Sequence, residues 1–134
     1  MLDVLIIDKA NQIKPVLTQL DANIDSIEDE VKALSLVEKK WPAVVFLSYD
    51  VMHEETADYI KVLLRLSSSC KVIVIAEQLS DNEILDCLLA GAKGHQALKQ
   101  LNEYGQKLIT VVTAGEVWIT RRMTAIVLDT LRTG

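Results

Sequence analysis

Unbroken apolar runs recur along the chain and end beside polar residues. Val4-Leu5-Ile6-Ile7 runs into Asp8, Ala43-Val44-Val45-Phe46-Leu47 runs into Ser48, and Val72-Ile73-Val74-Ile75 follows Lys71. Runs of this length without polar alternation are strands buried on both faces, as in a parallel sheet covered by helices. The segments between them have apolar residues three and four apart. Residues 12–20 place Ile13, Val16, Leu17 and Leu20 on one helical face, with Pro15 delaying or distorting the start. Residues 29–40 carry Val31, Leu34 and Val37, and Trp41-Pro42 ends that helix because the residue before proline avoids the α region. Residues 54–67 turn Ala57, Ile60, Leu63 and Leu64 inward. Ser80-Asp81-Asn82-Glu83 is a capping box opening a helix that stops at Gly91. Leu101, Tyr104, Leu108, Val111 and Val112 form one more stripe, closed by Gly115, and short strands fit 23–27 and 93–97. Strand and helix alternate throughout, which predicts an α/β fold with a doubly wound, five-stranded parallel sheet.

The 134 residues fit one domain, and half of them are hydrophobic while only 4% are aromatic, so the expected core is aliphatic. A net charge of −5 argues against direct nucleic-acid binding by this segment. Cys70 and Cys87 form no C-x-x-C pair and are expected as buried, reduced thiols of a cytoplasmic protein. No apolar run approaches the roughly 20 residues of a membrane span. Residues 2–7 are too short and too acidic in their flanks for a signal peptide.

Past Gly115 the pattern changes. Val117-Trp118-Ile119 is apolar, and Thr120 can cap a helix reaching Arg132, with Met123, Ile126, Val127 and Leu131 along one face. The five-unit domain is complete before this helix, so residues 1–116 read as the domain and 117–134 as a linker segment with an amphipathic helix. Its stripe packs on its own domain, on a second copy, or on something that follows.

Several stretches together resemble the receiver domain of bacterial response regulators, in the subtype attached to LuxR-type transcription regulators. They are Val4-Leu5-Ile6-Ile7-Asp8, Trp41-Pro42-Ala43-Val44-Val45-Phe46-Leu47, Lys71-Val72-Ile73-Val74-Ile75, Leu89-Ala90-Gly91-Ala92-Lys93-Gly94 and Gly115-Glu116-Val117-Trp118-Ile119. The resemblance implies a flavodoxin-like fold with strand order 2-1-3-4-5. It also implies phosphoryl transfer to an aspartate beside a magnesium ion held by acidic residues. This sequence departs from that pattern at nearly every chemical position. The phosphoacceptor position holds Ser48, the acidic pair holds Asp8 and Lys9, the hydroxyl position after the fourth strand holds Ala76, the lysine position holds Leu98, and the aromatic switch position holds His95. A hard Mg²⁺ site needs carboxylate oxygens, and Lys9 adds like charge instead. A serine is a weak nucleophile without an adjacent base. No metal, cofactor or catalytic residue is therefore expected. Ser48 is expected to fill a vestigial phosphorylation site, hydrogen bonded to Asp8 or Lys9, with the Lys9 ammonium in the place of the metal, paired with Asp8 or Asp50.

The reading that results is a degenerate receiver, a pseudo-receiver, with a regulatory rather than enzymatic role. It would act by protein–protein contact, as a homodimer, coupled to a DNA-binding output domain C-terminal to this chain. The resemblance places the interaction surface on the helices at 81–90 and 101–114 and the fifth strand. Two rivals stand beside it: a still-active phosphoacceptor using Asp50 as a displaced acceptor or a phosphorylated Ser48, and small-molecule sensing in the vacated pocket around Asp8, Lys9, Ser48 and Ala76. His53-Glu54-Glu55 reads as an acidic helix start, and Gly91-Ala92-Lys93-Gly94 lacks the phosphate-loop pattern.

Overall fold

The computed structural model describes residues 1–133. Five strands, β1 (Leu2–Ile7), β2 (Ala22–Ile27), β3 (Val44–Ser48), β4 (Lys71–Ile75) and β5 (Gly94–Gln96), form one parallel sheet in the order β2-β1-β3-β4-β5. This is the expected doubly wound order. The helices are α1 (Glu30–Lys40), α2 (Tyr49–Met52), α3 (Thr56–Leu66), α4 (Asp81–Leu89), α5 (Leu101–Thr113) and α6 (Arg121–Thr133).

The two faces of the sheet are covered unequally. Leu5, Ile7, Val45, Leu47, Val72 and Val74 face α1, α3 and α4. The alternate residues Val4, Ile6, Val44, Phe46, Ile73 and Ile75 face α5, with Ile13 and Leu17 beside it. Every one of these strand side chains is at most 4% exposed, and burying an aliphatic side chain of this size contributes about 1.5–3 kcal/mol.

The helix expected over 12–20 does not form. Only a single 3-10 turn at Lys14–Val16 is present, with Pro15 inside it. The reason lies in Asp8. Its carboxylate takes the N–H groups of Ala10, Gln12 and Ile13, and Asn11 adopts a left-handed backbone with φ 53°. The apolar spacing of Ile13 and Leu17 nonetheless serves the core, because both are buried against the sheet from a loop. The close seat of that loop on α5 falls at Gly105, where an added Cβ would come within 3.0 Å of Leu17 Cδ2.

Elsewhere the expected helices differ in detail. The segment expected at 54–67 begins as a short α2 directly after Ser48, passes through a 3-10 turn at His53–Glu55, and becomes regular only at Thr56. Its buried residues are Thr56, Tyr59, Ile60 and Leu63, while Ala57 and Leu64 are half-buried. In α5, Gly105 and Ile109 are buried where Tyr104 and Val111 were expected to be. The capping box of α4 forms in full: Ser80 accepts from the Glu83 amide, and Glu83 accepts from the Ser80 amide.

Candidate functional site

The carboxyl ends of β1, β3 and β4 bring Asp8, Ser48 and Ala76 to one edge of the sheet, where open parallel sheets gather their chemistry. Asp8 is 2% exposed. Its Oδ2 accepts from Gln12 N at 2.7 Å and Ile13 N at 2.9 Å, and its Oδ1 accepts from Ala10 N at 3.1 Å. A carboxylate engaged this way is committed to holding a loop. Lys9 corrects the expectation placed on it. Its Nζ lies 3.1 Å from Glu30 Oε2, at the first turn of α1, and pairs with neither Asp8 nor Asp50. That pair is half-exposed, and it holds Glu30 below the usual carboxylate range, second to the hydrogen bond from Glu30's own backbone.

Ser48 ends β3 and is only 8% exposed. The expected hydrogen bond to Asp8 or Lys9 is absent: Asp8 is engaged by three backbone amides and Lys9 is turned to α1. Among the described residues no protein group bonds the Ser48 hydroxyl, which caps no helix and faces a cavity of about 320 Å³. Ile13, Ile75, Ala76 and Leu98 give that cavity apolar walls, and Asp50, Glu77 and Glu83 give it carboxylates. Asp50 sits in α2 and is exposed. Asp8 and Lys9 do not line the cavity, so the residues expected to share one site are split: Ser48, Ala76 and Leu98 share the cavity and the two residues after β1 do not.

Three residues at this site were not singled out from sequence. Tyr49 donates its hydroxyl to Glu83 Oε2 at 3.1 Å, tying α2 to α4 across the cavity. Burial, then this bond, pushes the Tyr49 hydroxyl up to about 12. Glu83 was read only as a capping residue, and it performs both tasks. Glu77 accepts the Lys99 amide at 2.8 Å, linking the loops after β4 and β5. The adjacency of Tyr49 to Ser48 was the one signal available. His53 also lines the cavity, with φ 50° and ψ −126°, a region that side chains other than glycine rarely enter. Strain of this kind costs about 1–3 kcal/mol and collects at working sites.

Solved structures share this fold over nearly the whole chain. The isolated receiver domain of RcsB from Salmonella enterica serovar Typhimurium superposes with a TM-score of 0.82 at 16% identity, covering 96% of this chain and 99% of that one. A LuxR-family two-component response regulator from an Aurantimonas species gives 0.78 at 11% identity, covering 100% and 99%. A LuxR-family DNA-binding response regulator from Silicibacter pomeroyi gives 0.74 at 21% identity, covering 91% and 99%. The chain has the receiver fold. No protein-family model matches the sequence, and no curated protein matches it.

His95, expected at a switch position, lies in β5. Its Nε2 lies 3.3 Å from the Ala76 carbonyl, which can only accept, so the imidazole donates there. Burial lowers its pKa from 6.5. The segment after Gly115 closes over this strand. Trp118 N donates to Lys93 O at 2.8 Å, His95 N donates to Trp118 O at 3.2 Å, and Trp118 Nε1 donates to Gln96 Oε1 at 2.9 Å. Gly94 is required here, because the Trp118 carbonyl occupies the space a Cβ would need. The outer edge of β5 is thereby capped by main chain.

α6 then packs on α4. The stripe assigned to it divides: Met123 is 4% exposed and belongs to this chain's own packing, Ile126 and Val127 are half-buried, and Leu131 is 65% exposed. Arg122, in the first turn of α6, pairs with Asp81 at the start of α4 at 2.6 Å. Cys70 and Cys87 are buried and unpaired, and burial pushes the Cys87 thiol up to about 11. Among the described residues no helix is long and apolar enough to cross a membrane.

Proposed function

We propose that this chain is a regulatory pseudo-receiver of a two-component-type signalling protein, cytoplasmic and non-enzymatic, acting by protein–protein contact without aspartyl phosphorylation. The observation that carries the reading is the fate of the acidic site. Ser48 ends β3 where the resemblance expects an acceptor carboxylate, and the surviving Asp8 has both oxygens engaged by three backbone N–H groups. A carboxylate so bound keeps little acceptor capacity for a metal ion, since two N–H groups occupy Oδ2 and one occupies Oδ1.

Residues 1–116 form the receiver-like domain in this reading, and 117–134 form the linker, its first residues docked on β5. The LuxR-family neighbours support a DNA-binding output domain C-terminal to the chain. Nucleic acid would then be bound there and not by this acidic segment. The linker helix transmits the state of the domain to it, and a homodimer sets the spacing of two such outputs.

Intact-mass measurement after incubation with acetyl phosphate and Mg²⁺ tests the central claim. The expected result is an unmodified mass. Stoichiometric addition of one phosphoryl group, mapped to Asp50 or Ser48, would replace this reading with that of an active receiver using a displaced acceptor.

A further inference from the structure

The cavity beside Ser48 has the features of a small-molecule site. Its volume of about 320 Å³ lies at the lower end of such pockets, which run roughly 300–1,000 Å³. Its charged lining is one-sided. Asp50, Glu77 and Glu83 face it, and the only basic side chain among the lining residues is the imidazole of His53. Lys9, the nearest sequence candidate for a counter-ion, is held by Glu30 instead. The independent observation is Ser48 itself, which is 8% exposed, lines the cavity and has no hydrogen-bond partner among the described residues. Its oxygen is not sealed from solvent, so it opens into the cavity with its hydrogen-bonding capacity free for a ligand's donor or acceptor. Ile75, Ala76 and Leu98 supply an apolar wall next to it.

We propose that this cavity binds a small organic cation: an ammonium group carrying a short apolar body. The ammonium has three donors and no acceptor, which matches a hydroxyl oxygen and carboxylates facing one space. The apolar body lies along Ile75, Ala76 and Leu98. A phosphate or carboxylate ligand would meet three carboxylates and no lysine or arginine. A bare metal ion is a poorer occupant, because no cluster of three His, Cys, Asp or Glu side chains among the described residues is placed to hold one. The inference goes beyond the regulatory reading, and a chain that proved monomeric would leave it standing.

Amide chemical shifts of the ¹⁵N-labelled chain, titrated with n-butylammonium chloride, test it. Butyrate, n-butanol and MgCl₂ serve as matched probes. The expected result is saturable shifts from butylammonium at Tyr49, Ala76 and Gln78, with none from butyrate. Ser48→Ala and Glu77→Gln should each weaken binding about tenfold, the scale of one hydrogen bond to a charged group. Their spectra away from the cavity should be unchanged, which separates lost binding from lost folding. Absence of saturable shifts would overturn the proposal, as would equal binding of butyrate or n-butanol. Mg²⁺ saturating the same amides and displacing butylammonium would also overturn it, and so would full retention of binding in both variants.

Discussion

The Gln12 amide nitrogen sits 2.7 Å from Oδ2 of Asp8, and that bond turns an acidic strand end into the anchor of a loop. Together with the bonds from Ala10 and Ile13 it replaces the helix that the spacing of residues 12–20 suggests. Asp8→Ala should therefore damage folding rather than chemistry. Three donors lose a charged acceptor, and the Ile13 bond is buried. Hydrogen bonds to charged groups are worth about 1.5–3 kcal/mol each, and relaxation to water recovers part, so a net loss of about 3 kcal/mol is expected in urea unfolding. Asp8→Asn keeps one carbonyl acceptor and should fall between the two. A loss below about 1 kcal/mol for Asp8→Ala would show that the loop holds itself.

Magnesium binding should resist repair by a single substitution. Ser48→Asp adds one carboxylate to the end of β3, yet Lys9 still stands where the resemblance expects a second acid, and Asp8 stays engaged by backbone. Isothermal titration should detect no sub-millimolar Mg²⁺ affinity in the unmodified chain or in Ser48→Asp. Lys9→Asp combined with Ser48→Asp is the smallest change expected to create it. Tight binding by the unmodified chain would contradict this account of Asp8.

The sheet was legible because its signal is long and redundant. Val44–Leu47 and Val72–Ile75 are short, unbroken apolar runs rich in β-branched residues, which favours buried strands, and the alternation with helices then leaves few orders open. The capping box at Ser80 was legible because its chemistry is local to four residues. The loop after Asp8 was not. Ile13, Val16, Leu17 and Leu20 have helical spacing, and nothing adjacent in sequence announces that Asp8 will take the amides of Ala10, Gln12 and Ile13. The Lys9–Glu30 pair joins residues that only the β1–β2–α1 path brings together. Trp118 on β5 was hidden for the same reason, since Val117-Trp118-Ile119 is too short to register as a strand and its partner lies at Lys93–His95.

Gly94→Ala should open that junction. A Cβ at 94 meets the carbonyl carbon, the carbonyl oxygen and the Cβ of Trp118, and two of those three atoms are backbone that cannot rotate away. Overpacking of this type costs about 1–3 kcal/mol when the fold tolerates it. Here the cheaper response is release of residues 117–119 from β5. Hydrogen exchange should then accelerate at the His95 and Trp118 amides while β3 and β4 stay protected. Unchanged protection at both amides would argue that the sheet edge yields instead.

His95 should make stability fall on mild acidification. Its pKa in the folded chain is below 6.5 because burial disfavours the imidazolium, outweighing the bond to the Ala76 carbonyl. Between the folded and unfolded values the unfolded chain binds more protons, so stability rises with pH across that window. The contribution is fully present above pH 6.5 and is lost as pH falls through the window beneath it. The carboxylates held low, Glu30 and Glu83, start from 4.5 and act in a more acidic range. Thermal unfolding from pH 7 down to about pH 5 should show a falling Tm that His95→Gln flattens. An identical slope in the variant would remove His95 from the explanation.

Self-association should reside on the outer side of α6. Met123 is spent on the contact with the domain, and Arg122 fixes the start of the helix to Asp81. What remains open is Leu128, 50% exposed, and Leu131, 65% exposed, one turn apart, with Val117 also half-exposed at the start of the segment. Large apolar side chains next to one another on a helix are more often covered than left in water. Oligomers of one chain are mostly two-fold symmetric, so a second copy laying the same helix against this one is the simplest cover. Sedimentation velocity should show a homodimer without any phosphorylation. Leu128→Asp with Leu131→Asp should return it to a monomer, because both side chains point away from the domain and their loss leaves the core intact. Ile126→Asp is the contrast: Ile126 is half-buried against the chain itself, so this variant should lose stability as well as association. A dimer that survives the double substitution would move the interface to the α4–β5–α5 face, and a monomer at tens of micromolar for the unmodified chain would remove dimerisation from the proposed function altogether.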